Sequence, residues 1–93
     1  MKTFILENIY MSDMSAPSVY STDRFPTFES AMEEAYKQFK EEAKTYRKSY
    51  GVDNITTEEC YRDLYIKGPD FIDWWTVVEV PTTEEKNSIN THT

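Results

Sequence analysis

The chain is poor in the residues that build covalent or metal-held sites: one cysteine, Cys60, one histidine, His92, and two glycines, Gly51 and Gly68, in 93 residues. A lone thiol excludes an internal disulfide and fits a reducing compartment. Structural zinc is excluded too, because four nitrogen or sulfur ligands must converge on one ion. Neither glycine opens a phosphate-binding loop before a helix. No Asp-x-Asp-x-Asp-Gly calcium loop is present, and Asp70-Phe71-Ile72-Asp73 is too sparse and too apolar to imitate one. Long apolar runs are also missing. Glu7 and Asn8 interrupt Phe4, Ile5, Leu6, Ile9 and Tyr10, so the first eleven residues do not read as a secretory leader. No stretch approaches the roughly 20 apolar residues that cross a bilayer. Basic residues are scarce, ten against seventeen acids for a net charge of −7, which argues against direct binding to nucleic acid or anionic lipid. These absences lead us to expect a cytoplasmic protein with no cofactor and no metal, touching neither nucleic acid nor membrane.

What is present suits one domain. A chain of this size buries roughly 60 to 65% of the surface it exposes when unfolded, which supports one modest core. Residues 1–81 read as that domain, and Thr82 to Thr93, with Ile89 as its one aliphatic residue, reads as a mobile polar tail. His92 falls in the tail and reads as a solvated end residue.

Thr3 to Met11 is dense in β-branched and aromatic side chains with apolar residues at both parities, the pattern of a central strand. Ser12 to Ser18 is a cluster of turn formers, and Val19 to Phe25 returns as a more polar, edge-like strand. Phe28, Ala31, Met32, Ala35, Tyr36, Phe39, Ala43, Tyr46 and Tyr50 then recur at helical spacing, predicting a long helix over roughly residues 28–50. Thr27 is placed to cap its start and Gly51 to close its end. Glu29, Glu33 and Glu34 sit near the positive end of its dipole, and Lys40, Lys44, Arg47 and Lys48 near the negative end. Tyr36, Tyr46 and Tyr50 are expected in the core.

Ile55-Thr56-Thr57-Glu58-Glu59-Cys60 has the form of a capping box, with Thr56 and Glu59 exchanging bonds. A short second helix over about 57–65 is the preferred reading, with Cys60 as a small core residue. The alternation Cys60, Arg62, Leu64, Ile66 also fits a strand that pairs back across Lys67-Gly68-Pro69-Asp70. Phe71 to Val80 carries the strongest strand signal, Trp75-Thr76-Val77-Val78-Glu79-Val80, with Pro81 as its stop.

The expected architecture is α+β: a small antiparallel sheet of about three strands, one long helix across one face, and the short second helix or its strand alternative. Phe25-x-Thr27-x-Glu29 at the helix start, followed late in the chain by Trp75 to Val80, resembles a pattern found in small uncharacterised bacterial and phage proteins. The resemblance covers most of residues 3–80 and implies a sheet-and-helix fold with no activity attached.

No nucleophile and base are paired in the pattern. Cys60 lies beside Glu58 and Glu59, which disfavour a reactive thiolate. Paired carboxylates are too abundant among seventeen acids to single out one pair, so an enzyme is not expected. Charge is unevenly spread: residues 1–50 carry a net of −1, residues 51–93 a net of −6. Seven tyrosines, five phenylalanines and two tryptophans exceed what one small core hides comfortably. Trp74 and Trp75 are adjacent and point to opposite faces of a strand. Acidic charge beside exposed rings is what an interface for a basic partner uses, although acidic surfaces also serve solubility alone.

The expectation is a non-enzymatic acidic interaction module for a basic protein partner, in particular a nucleic-acid-binding protein. In profile it resembles the compact acidic inhibitors encoded by phages and mobile elements. The residues expected to contact the partner are Glu58, Glu59, Asp63, Asp70, Asp73, Trp74 and Glu79. The alternative is an assembly protein that forms a homodimer through an edge strand or an aromatic face.

Overall fold

Five strands and one long helix account for most of residues 2–81, the part described by a computed structural model of the chain, with residues 21–23 described by backbone alone. The elements are β1 (Lys2–Ser12), β2 (Ser15–Phe25), α1 (Phe28–Tyr50), a short 3-10 turn (Val52–Asn54), β3 (Thr56–Glu59), β4 (Asp63–Lys67) and β5 (Phe71–Pro81). The α+β class is as expected. The sheet is larger than expected, with five strands in the order β2-β1-β5-β4-β3 and every neighbouring pair antiparallel. β1 lies inside the sheet and β2 at its edge, both as the sequence predicts.

α1 begins and ends where its chemistry dictates. Thr27 is extended at φ −134° and its hydroxyl accepts from the Ser30 amide at 3.0 Å, satisfying one of the free first-turn donors. Gly51 closes the far end at φ +96°, and its amide donates to the Arg47 carbonyl at 2.9 Å. Ala31, Met32, Ala35, Phe39 and Ala43 are the buried stripe. The three alanines leave room for the large sheet residues Leu6, Leu64, Ile66, Trp75 and Val77, each no more than 1% exposed. Tyr36 and Tyr46 pack partly buried against this core, whereas Tyr50, near the helix end, stays 41% exposed.

The preferred reading of residues 57–65 is corrected by the structure. Thr56 to Glu59 and Asp63 to Lys67 form a hairpin, with Thr57 opposite Ile66 and Glu59 opposite Leu64. A helix there would have put Leu64 on its inner face and left Ile66 outside. Pairing β4 with β5 seals both beneath α1 and satisfies the backbone as well. Cys60 is therefore not a core residue. It sits exposed at the hairpin tip, its amide donating to the Asp63 carbonyl at 2.8 Å. β2 also starts earlier than expected, at Ser15, because residues 13–14 alone make the turn and the Ser12 and Ser15 hydroxyls bond across it at 3.0 Å.

Two short connections close the opposite end of β5. Gly68 and Phe71 bond across Pro69-Asp70, and the Asp13 amide donates to the Asp70 carbonyl at 3.1 Å, linking the two turns. A Cβ on Gly68 would run into the Phe71 ring, which would have to shift to admit it. The expected mobile tail and His92 lie outside the described residues. Among the described residues no helix is long and apolar enough to cross a membrane.

Candidate protein-docking face

Strand parity and one helix divide the sheet into two unlike sides. On the side under α1 lie Phe4, Leu6, Asn8 and Tyr10 of β1, Leu64 and Ile66 of β4, and Phe71, Asp73, Trp75 and Val77 of β5. The intervening residues face the other way: Ile5, Glu7, Ile9 and Met11 of β1, and Ile72, Trp74, Thr76, Val78 and Val80 of β5. Register aligns Val19, Ile9, Trp74, Tyr65 and Glu58 into one row across all five strands. No described element covers this row. Ile9, Trp74 and Tyr65 are half-buried in it, and Val19 is exposed.

The rings and charges of this open face are organised. Tyr65 and Trp74 lie with ring centroids 5.6 Å apart. The Lys67 ammonium stands 5.8 Å from the Tyr65 ring centroid and 2.9 Å from a Glu58 carboxylate oxygen. Burial, then the negative charge of Asp63, Cys60 and Glu58, raises the Tyr65 phenol above its ordinary value, with Lys67 opposing. The hydrogen bond from Lys67 to Glu58 raises the ammonium in turn. One row away, Glu7 and Asp63 flank Thr76 from the two neighbouring strands. Two strand spacings separate them, about 10 Å.

Of the seven residues expected to contact a partner, three share this face: Glu58, Asp63 and Trp74. Asp70 stands exposed in the β4–β5 turn. The other three belong to the side under α1. Glu59 accepts from the Tyr36 hydroxyl at 2.9 Å, and Glu79 pairs with Lys2 at 3.1 Å. Asp73 is 5% exposed, accepting from the Asn8 amide at 2.7 Å and the Tyr46 hydroxyl at 2.8 Å. Burial pushes the Asp73 carboxyl above its ordinary range while its two donors pull it back. Burial, the bond to Asp73 and the nearby negative charge push the Tyr46 phenol up.

The seven therefore do not converge, because alternation along a strand sends neighbours such as Asp73 and Trp74 to opposite sides. Trp75 is likewise sealed, 1% exposed, its indole N–H donating to Gln38 at 3.0 Å. Sequence reasoning missed Glu7, Ile9 and Tyr65. The signal for Ile9 was the apolar content at both parities of β1, matched in β5, which marks a second apolar face as well as a central strand; Glu7 and Tyr65 are placed there by strand register alone.

The remaining surfaces offer less. A shallow cleft of about 410 Å³ lies between the β1–β2 and β4–β5 turns, with Asp13 and Asp70 at its rim. Among the described residues no group of three metal-ligating side chains comes together. Both sheet edges are blunted. β2 carries an extra residue against β1 at two places and has Pro17 beside one of them, and β3 is four residues long with Glu58 and Glu59 on it.

The chain matches no protein-family model, no curated protein and no solved structure.

Proposed function

We propose that this chain is a non-enzymatic interaction module that docks on a basic protein through the open face of its sheet. One observation carries the reading: no described element covers the row Ile9, Trp74 and Tyr65, whereas the centre of the opposite side is sealed beneath α1. Aromatic anchors inside a polar rim are the residues that dominate interface energetics. The planar extent of the face is about 700 Å² from strand lengths and spacing, near the roughly 800 Å² per partner of a standard interface. Glu7, Glu58 and Asp63 outnumber Arg24 and Lys67 on this face and favour a cationic partner, and Lys67 already neutralises Glu58. A nucleic-acid-binding protein presents such a surface, and occupying it would inhibit that protein, as the acidic profile of the whole chain favours.

Self-association is less well supported. The edges are blunted, and the acids Glu7, Glu58 and Asp63 outnumber the cations Arg24 and Lys67 on this face, so two copies stacked face to face would bring an excess of like charge together. The test is capture from a host lysate at low and high salt with wild type, Trp74→Ala and Asp63→Lys. A basic protein retained by wild type, released by salt and lost with both variants supports the reading. Capture indifferent to both variants refutes it, and a concentration-dependent dimer abolished by Trp74→Ala would replace it with homodimer assembly.

A further inference from the structure

We infer that the segment this face accepts is a basic amphipathic α-helix lying along β5, its apolar stripe on Trp74 and its cationic shoulders meeting Glu7 on one flank and Asp63 on the other. The inference rests on the docking reading above and adds the form of the partner. Width is the first argument. An α-helix with side chains is about 10 to 12 Å across, and the two carboxylates stand about 10 Å apart, one strand to either side of Thr76. A helix seated over β5 then has one shoulder beside each. Lysine or arginine there keeps its aliphatic stem on the sheet while its charged end reaches the carboxylate.

Length agrees. β5 runs for 11 residues, about 36 Å, which matches a helix of roughly 24 residues at 1.5 Å each. Along that track the apolar side chains form two blocks, Ile72 and Trp74 before Thr76, and Val78 and Val80 after it. The matching helix therefore carries its shoulder cations near the middle. The sheet already accommodates a helix in this direction on its other side. Phe28 meets Phe4 at one end of α1, Phe39 meets Trp75 in the middle, and Tyr46 meets Phe71 towards the other end. A second helix on the open face completes a three-layer arrangement.

The competing occupants fit worse. An added strand needs an unguarded edge, and neither edge is one. A second copy sets the excess carboxylates of this face against themselves.

The probe is a synthetic 24-residue leucine–lysine peptide with leucines in one helical stripe and lysines on both shoulders. Controls are the same composition interrupted by two prolines, and the stripe peptide with glutamate for lysine. Binding is read by tryptophan emission, with Trp74→Phe to assign the signal, and by peptide helicity from circular dichroism. We expect saturable binding with induced helix, no binding of the glutamate peptide, and at least tenfold weaker binding for the protein carrying both Glu7→Gln and Asp63→Asn, checked by thermal melting to be folded. Equal, Trp74-dependent binding of the proline-broken peptide would overturn the helix while leaving the docking face standing. No binding would overturn the helix and leave the docking face to the capture experiment, whereas binding indifferent to Glu7→Gln with Asp63→Asn and to Trp74→Ala would overturn both.

Discussion

Trp74 and Trp75 are consecutive in the chain, yet they belong to two different kinds of surface. Trp75 faces α1, 1% exposed, edge-on to Phe39 at 5.9 Å and hydrogen-bonded through its indole to Gln38. Trp74 faces away, beside Tyr65, and nothing described lies over it. The side under α1 spends its apolar area on folding. The open side holds comparable side chains that stay only partly buried until something else arrives. Even the charges follow this division: the carboxylate under the helix, Asp73, has two donors, whereas Glu7 and Asp63 on the open side flank a threonine.

The sharpest way to break this contrast is truncation of each indole. Trp75→Ala should cost about 3 to 5 kcal/mol, the range for deleting a buried large side chain, measured by urea denaturation. A cost close to that of Trp74→Ala would erase the distinction between the faces.

Asp73 gives the next largest effect. Asp73→Ala takes the buried acceptor from the Tyr46 hydroxyl and leaves the Asn8 amide only the Trp74 carbonyl, which should cost about 2 to 3 kcal/mol. Asp73→Asn separates hydrogen bonding from charge. Because the Asp73 carboxyl titrates above its ordinary value of 3.8 when folded, the folded state holds its proton more tightly than the unfolded chain does. That contribution is fully present below about pH 3.8 and lost as pH rises through the folded value. Wild type should therefore gain stability relative to Asp73→Asn as pH falls toward 3.8. A difference that stays constant, or moves the other way, would contradict the burial of an ionisable carboxyl there.

Gly68→Ala tests the end of the covered side. The added methyl meets the Phe71 ring, which packs against Tyr10, Tyr46 and Tyr50. The expected cost is about 1 to 3 kcal/mol, typical of overpacking, with the near-ultraviolet aromatic signal as a second readout. The smallest effect on stability should be Trp74→Ala, below about 1 kcal/mol by urea denaturation, paired with a loss of about 2 kcal/mol or more in association. A large folding cost would mean that the open face is part of the core.

Much of the covered side was legible in the sequence because its signals are local. The helical stripe from Phe28 to Tyr46 repeats over five turns, and Thr27 and Gly51 mark the ends with side-chain and backbone chemistry of their own. β1 and β5 announce themselves by β-branched and aromatic density. Residues 56–67 were ambiguous because Thr56 to Glu59 satisfies a capping pattern as well as a short strand, and a four-residue strand has too few alternations to outvote it. The decision came from β5, which offers Leu64 and Ile66 a ladder and a buried side at once. The acids failed for a related reason: a run of carboxylates in sequence says nothing about sides until strand parity is anchored to a helix.

From its residues alone this chain is an acidic, single-cysteine α+β domain with a capped long helix, two strong strands and a pair of tryptophans that must part company. Those features depend on neighbours within a few residues, whose contacts the local order of the chain already sets. Which tryptophan is sealed, which carboxylate is trapped beside Asn8 and Tyr46, and where Glu7 and Asp63 come to flank one threonine depend on pairing between strands distant in sequence and on the side from which α1 packs. Long-range contacts choose among local options of nearly equal free energy, so only the folded chain distinguishes its core from its open face.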